Sequence, residues 1–160
     1  MRKLRIYVEN SVIGGYFDDE FKEATVKLFE EFKKGYNIPV ISLHVIDELE
    51  SGAPEYVISN LNKLDYEQYK VTEEMIELAD KYMEDKIVTK KYYGDALHIA
   101  IATVIGVDVL VSRNFKHIVN LDKIKRFNSV NLKEGYFILE IRTPQEVVYH
   151  EKWKVRCYKI

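Results

Sequence analysis

Apolar and polar positions change their spacing several times along this chain, and each change marks an element. Leu4 to Val8 is a short apolar run whose Ile6, Tyr7 and Val8 favour extended backbone, which predicts a first strand stopping at Glu9. From Phe21 to Lys34 the residues Phe21, Ala24, Leu28, Phe29 and Phe32 recur at helical spacing with Lys and Glu between them. Ile38 to Ile41 predicts a second strand, after which Ser42 caps a helix running through Leu49. Gly52-Ala53-Pro54 breaks that helix, and Glu55 to Leu64 predicts another. Tyr69 to Val71 predicts a third strand, and Thr72 opens a helix to about Asp85 with Met75, Leu78, Ala79 and Tyr82 on one face. Asp95 to Ile105 is apolar on nearly every side, as a helix buried within a domain would be. Asp108 to Val111 then predicts a buried parallel strand.

Beyond Asn131 the pattern loosens. Tyr136 to Ile141 predicts a strand, and Thr143-Pro144-Gln145-Glu146 has the form of a capping box with proline in the first helical turn. Lys152 to Cys157 alternates charged with apolar residues, so Trp153, Val155 and Cys157 are expected on a buried side and Lys152, Lys154 and Arg156 on a wet one. The alternation of strands and helices argues for an α/β fold with helices on both faces of the sheet. No repeat, low-complexity tract or linker divides the chain. Residues 1–150 are therefore expected to form one domain, with 151–160 as a strand-like tail of it.

Composition narrows the function classes. A chain of 160 residues, 47% hydrophobic and 31% charged, has the make-up of one ordinary globular domain rather than of a disordered polymer. Its formal charge of −2 gives no global attraction for nucleic acid, so such a partner would need a local patch. One cysteine, Cys157, rules out an intrachain disulfide framework and a cysteine-based zinc site, and fits a reducing interior. The first apolar run ends at once in Glu9, unlike a signal peptide, and the stretch from Ala96 to Val107 is broken by His98, Thr103 and Gly106 and too short to span a bilayer. A cytoplasmic protein with no membrane partner is expected.

Four polar residues stand where an α/β sheet would bring them to one edge. Glu9 follows the first strand, Glu48 lies on the helix after the second, Asp95 opens the buried helix, and Asn114 follows the strand ending at Val111. In open parallel sheets ligands bind beyond the carboxyl ends of the strands. Carboxylates gathered there repel one another unless a cation sits among them, which points to Mg²⁺ or Mn²⁺. Each residue also has a plainer reading. Asp95 could be an acid favoured by a helix dipole, Glu48 a surface acid beside Asp47 and Glu50 (either of which could be the ligand instead), and Asn114 a turn residue. An acid ending an apolar strand, as Glu9 does, has fewer innocent explanations. Ser11 and Ser112 could hydrogen-bond these groups or merely cap turns; His98 could touch the site but reads first as a core histidine, and His117, with Lys116, could meet a phosphate but reads first as part of a solvated loop. Lys86, Lys90, Lys91, Tyr92 and Tyr93 form a basic, aromatic run before Asp95 that could hold RNA phosphates and bases or be a solvated face over core tyrosines.

Taken in order, Glu9-Asn10-Ser11-Val12, the Ser42-initiated helix with Glu48, Asp95-Ala96-Leu97-His98-Ile99-Ala100 and Ser112-Arg113-Asn114-Phe115 resemble the motifs of a PIN domain, the metal-dependent ribonuclease fold that includes VapC-type toxins of toxin–antitoxin pairs. The resemblance covers roughly residues 4 to 148. It implies a three-layer α/β/α sandwich with a central parallel sheet. It further implies an endoribonuclease in which Glu9, Glu48, Asp95 and Asn114 are both the catalytic residues and the ligands of Mg²⁺ or Mn²⁺. RNA as substrate, an antitoxin protein as partner and a homodimer follow from the same resemblance. Two departures stand out. Glu9 replaces the usual aspartate and pushes its carboxylate about 1.5 Å further out, and Asn114 is neutral where many members carry aspartate. They define the alternative: a weakened PIN-like module that binds RNA or a protein partner without cleaving.

Overall fold

Successive side chains of a strand point to opposite faces, so a strand buried on every position must lie in the middle of a covered sheet. Ile6, Tyr7 and Val8 are all buried in β1 (Arg5–Val8), which is the central strand of the structure, a computed structural model that describes residues 2–149. The chain continues through α1 (Asn10–Gly15) and α2 (Lys22–Lys33) to β2 (Ile38–Ser42), then α3 (Leu43–Gly52), α4 (Glu55–Leu61) and β3 (Glu67–Tyr69). After α5 (Glu73–Glu84) and a 3₁₀ turn at Lys90–Tyr92 come α6 (Tyr93–Ile105), β4 (Val109–Val111), α7 (Leu121–Lys133), β5 (Ile141–Arg142) and α8 (Pro144–Val147). The five strands pair in parallel in the order β3-β2-β1-β4-β5, forming the central layer of an α/β/α sandwich. Tyr7 stands in register with Val40 on one side and Leu110 on the other.

That order has one reversal. From β1 the chain winds outward through β2 and β3, then crosses back to lay β4 on the opposite side of β1. The carboxyl ends of β1 and β4 therefore flank the switch point where open α/β sheets form their crevices. Helix α6 is buried from Ala96 to Thr103 and ends at Gly106, whose φ of +76° is the left-handed conformation that glycine adopts without strain. No helix among the described residues is long and apolar enough to cross a membrane.

Several elements differ from the pattern's prediction. The third strand is Glu67–Tyr69, ending where the predicted one begins, because Val40 of β2 pairs with Glu67. The predicted strand from Tyr136 to Ile141 shrinks to Ile141–Arg142. Phe137 and Ile138 project into solvent, and the Leu139 backbone is bonded in both directions by the side chain of Asn128, so the ladder cannot start earlier. Helices α1 and α7 are not anticipated: α1 has six residues ending in two glycines, and α7 buries only Phe127, Val130 and Asn131 of its thirteen. Residues 150–160, including Trp153, Val155 and Cys157 of the expected tail, lie outside the described residues.

Candidate functional site

Glu9 leaves β1 with extended backbone and caps α1, its carboxylate accepting the Ser11 N–H. The Ser11 hydroxyl donates to Oε1 at 2.9 Å, and the Ser112 hydroxyl, from the loop after β4, donates to the same oxygen at 2.7 Å. Both serines also accept from that loop: Ser11 Oγ from the Arg113 N–H at 2.9 Å and Ser112 Oγ from the Asn114 N–H at 3.0 Å. A carboxylate only 3% exposed is thus supplied with three donors, as a buried anion requires. The two serines bond this carboxylate as well as capping their turns.

Asp95 sits in the first turn of α6, where the helix N-terminus favours an anion. Burial nevertheless raises its carboxyl above the ordinary range and the charge of Glu9 adds to the rise, while His98, a hydrogen bond from Asn114 and His117 pull it back. Glu9, Asp95 and Asn114 are therefore electrostatic neighbours. Asn114 serves its own turn as well: its side-chain oxygen accepts the His117 N–H at 3.0 Å. With that oxygen engaged, the amide turns its N–H₂ to Asp95.

Glu48 is half-buried on α3, whereas Asp47 and Glu50 are exposed, which separates it from the competing acids. Its Oε1 lies 2.7 Å from His44 Nε2 and 2.8 Å from His98 Nε2. Burial alone would raise this carboxyl, but the two imidazoles hold it well below the usual carboxylate range. His44 responds in kind: burial works against its charged form, yet Glu48 and the Gly94 carbonyl raise its pKa above the ordinary value. His98 is fully buried, with Nδ1 2.7 Å from the Tyr7 hydroxyl, which is 2.8 Å from Ser42 Oγ. Ser42 in turn caps α3 by accepting the Val45 N–H at 3.2 Å. His98 is thus a core histidine that also faces the site. The spacing of one helical turn between His44 and Glu48, legible in the sequence, puts the two side chains on one face of α3.

His117 departs from the expected solvated loop: it is buried and stacks on Tyr92 at 3.7 Å between ring centroids. Lys91 and Lys116 place their ammonium groups 5.6 and 5.8 Å from the same Tyr92 ring. On the other flank, Arg113 lies over Phe21 at 4.2 Å beside a cleft of about 350 Å³ that Lys27 and Phe115 also line.

The donor set fits a hard divalent cation. Asp95 is penalised by burial and by Glu9, and a positive charge between them would relieve both. Among the described residues, the side chains whose ligand atoms already converge are His44, Glu48 and His98.

Sequence comparison finds no matching family model and no matching curated protein. Structural comparison finds VapBC2 from Rickettsia felis, solved bound to a DNA fragment from their promoter, which is similar over 86% of this chain and 98% of that one, with a TM-score of 0.53 at 18% identity. VapC20 from Mycobacterium tuberculosis, described as a sarcin-ricin loop cleaving toxin, matches over 66% of this chain and 86% of that one, with a TM-score of 0.47 at 14% identity. On the first of these likenesses, together with the parallel sheet and its strand-end acids, the chain has the VapC-like PIN-domain fold.

Proposed function

We propose that this chain is a metal-dependent endoribonuclease in which Glu9, Glu48 and Asp95 hold one Mg²⁺ or Mn²⁺ and Asn114 completes the set. The observation that carries the reading is the acid pair at the switch point of the sheet, Glu9 buried at the end of β1 and held by the Ser11 and Ser112 hydroxyls, and Asp95 in the first turn of α6 where the charge of Glu9 acts on it. When bound, the ion would supply charge neutralisation at the scissile phosphate and a water of lowered pKa. The chain's own residues do the rest. Ser11 and Ser112 fix the Glu9 carboxylate, Asn114 orients Asp95 through its amide, and His44 and His98 keep Glu48 ionised. Lys91, Lys116 and the Tyr92 ring, close to Asp95 through His117, suit the phosphates and unstacked bases of single-stranded RNA.

An antitoxin partner, a homodimer and a cytoplasmic setting belong to the same proposal, supported by the fold shared with Rickettsia felis VapBC2. Purified protein should cut single-stranded RNA with Mn²⁺, less with Mg²⁺, and not in chelator, because Mn²⁺ tolerates an amide and an irregular shell better. Asp95→Asn should abolish the cutting. RNA that binds but stays intact under both metals would favour a non-cleaving binding module. Cleavage by Asp95→Asn at the parent rate would remove the site assignment.

A further inference from the structure

Beside the strand-end acids a second group has the chemistry of a ligand site. His44 and Glu48 project from one face of α3 a helical turn apart, and His98 meets them from α6. Both Nε2 atoms approach a single oxygen, Glu48 Oε1, at 2.7 and 2.8 Å, and the ligand atoms of all three residues lie within 4.8 Å of one another. Glu48 Oε1 and His98 Nε2 are both sealed from solvent with no well-directed hydrogen bond, and His44 Nε2 also meets the Gly94 carbonyl at 3.1 Å, a contact that an ion would displace.

The surroundings suit a bound ion. With His98 Nδ1–H donating to Tyr7 and the Tyr7 hydroxyl donating to Ser42, the Nε2 lone pair faces the group, which is the second-layer support a metal-bound histidine takes. Above the group, a Cβ on Gly94 would already touch Glu48 Oε1 at 3.6 Å and His44 at 3.7 Å, so glycine keeps the approach clear. Two imidazoles and one carboxylate select Zn²⁺ and its transition-metal neighbours over Mg²⁺, which prefers oxygen throughout. With bonds of about 2.0–2.1 Å, a tetrahedral ion sets its ligand atoms about 3.3 Å apart, so the present contacts need to open by only about half an ångström.

We propose that His44, Glu48 and His98 bind one Zn²⁺, and that this zinc switches the nuclease off by withdrawing Glu48 from Glu9 and Asp95. The inhibitory half rests on the ribonuclease reading; the binding half does not. Zinc titrated calorimetrically into the metal-free full chain, without RNA, should bind at one equivalent, and Co²⁺ in its place should show the visible bands of a low-coordinate imidazole complex. His44→Ala should weaken zinc at least about tenfold and remove the cobalt bands while keeping the parent circular dichroism, whereas Glu9→Gln should hold zinc within about twofold of the parent. The site assignment is overturned if zinc does not bind, if His44→Ala binds it as the parent does, or if Glu9→Gln removes it and His44→Ala does not. In Mn²⁺-supported cleavage, equimolar zinc should stop the parent. Parent cleavage that persists in saturating zinc refutes the inhibition and leaves the ribonuclease reading standing. Absence of any RNA cleavage defeats that reading and the inhibition together, while the zinc titration still decides the site.

Discussion

Single residues at the site oppose stability as often as they provide it. Asp95 is the clearest case, since its raised carboxyl means the ionised form is disfavoured by folding. The stability tied to its proton is fully present below its ordinary value of 3.8 and is lost as pH rises through the folded value. Asp95→Asn in metal-free buffer at pH 7 should therefore melt higher than the parent, by up to a few degrees, ~1 kcal/mol being worth roughly 2–4 °C at this length. A calorimetric scan showing a lower melting temperature would contradict it. Glu48 and His44 have the opposite sense. The contribution of Glu48, whose folded pKa is depressed, is complete above 4.5 and fades as pH falls toward that folded value; that of His44, whose pKa is raised, is complete below 6.5 and fades as pH rises. Urea unfolding of the parent and Glu48→Gln should thus differ most between pH 4.5 and 6.5, and less on either side. The positions of Glu9 and Asp95 were legible because one ends a strand and the other starts a helix, whereas Glu48 lies mid-helix, one turn from His44. The pairing of Glu48 with His98 was not legible, because sequence carries no trace of which buried histidine folds against which acid.

At the scale of elements, hydrophobic spacing located helices well where one face is continuously apolar, as in α5, where Met75, Leu78, Ala79 and Tyr82 are buried. It failed at α7, whose few buried residues are outnumbered by charges, and at the segment from Tyr136 to Glu140, whose β-type residues mimic a strand. What holds that segment is a side chain. Asn128 accepts the Leu139 N–H at 2.7 Å and donates to the Leu139 carbonyl at 3.1 Å, standing in for a neighbouring strand. Asn128→Ala strips both partners from a half-buried backbone and should cost about 1–3 kcal/mol, read as a lower urea midpoint at unchanged slope. A midpoint within error of the parent would show that water replaces the amide without cost.

For the molecule as a whole, the α/β class was readable from alternating elements, but the strand order was not, since nothing in the pattern says on which side of β1 the chain lays β4. That choice builds the site. It also ranks the strands: β1 is bonded on both sides and fully covered, while β5 is a two-residue edge. Amide hydrogen exchange should be slowest at Tyr7, Val8 and Leu110 and much faster at Arg142, with the central amides opening only on global unfolding. Equal rates across the sheet would mean that the edge and centre unfold as one unit.

The longer acid at position 9 works as a spacer gauge. Its Oε1 touches one hydroxyl from its own helix and one from the loop across the sheet, so its reach records the gap between the ends of β1 and β4. Shortening it to aspartate would pull the carboxylate back by about one bond, from a Ser112 hydroxyl that now stands 2.7 Å away. The two loops would then have to close up, or Ser112 and the Asn114 N–H that it accepts would lose their common anchor. A change at position 9 is therefore also a change in the setting of Asn114, and the two positions form one adjustable unit rather than two independent departures.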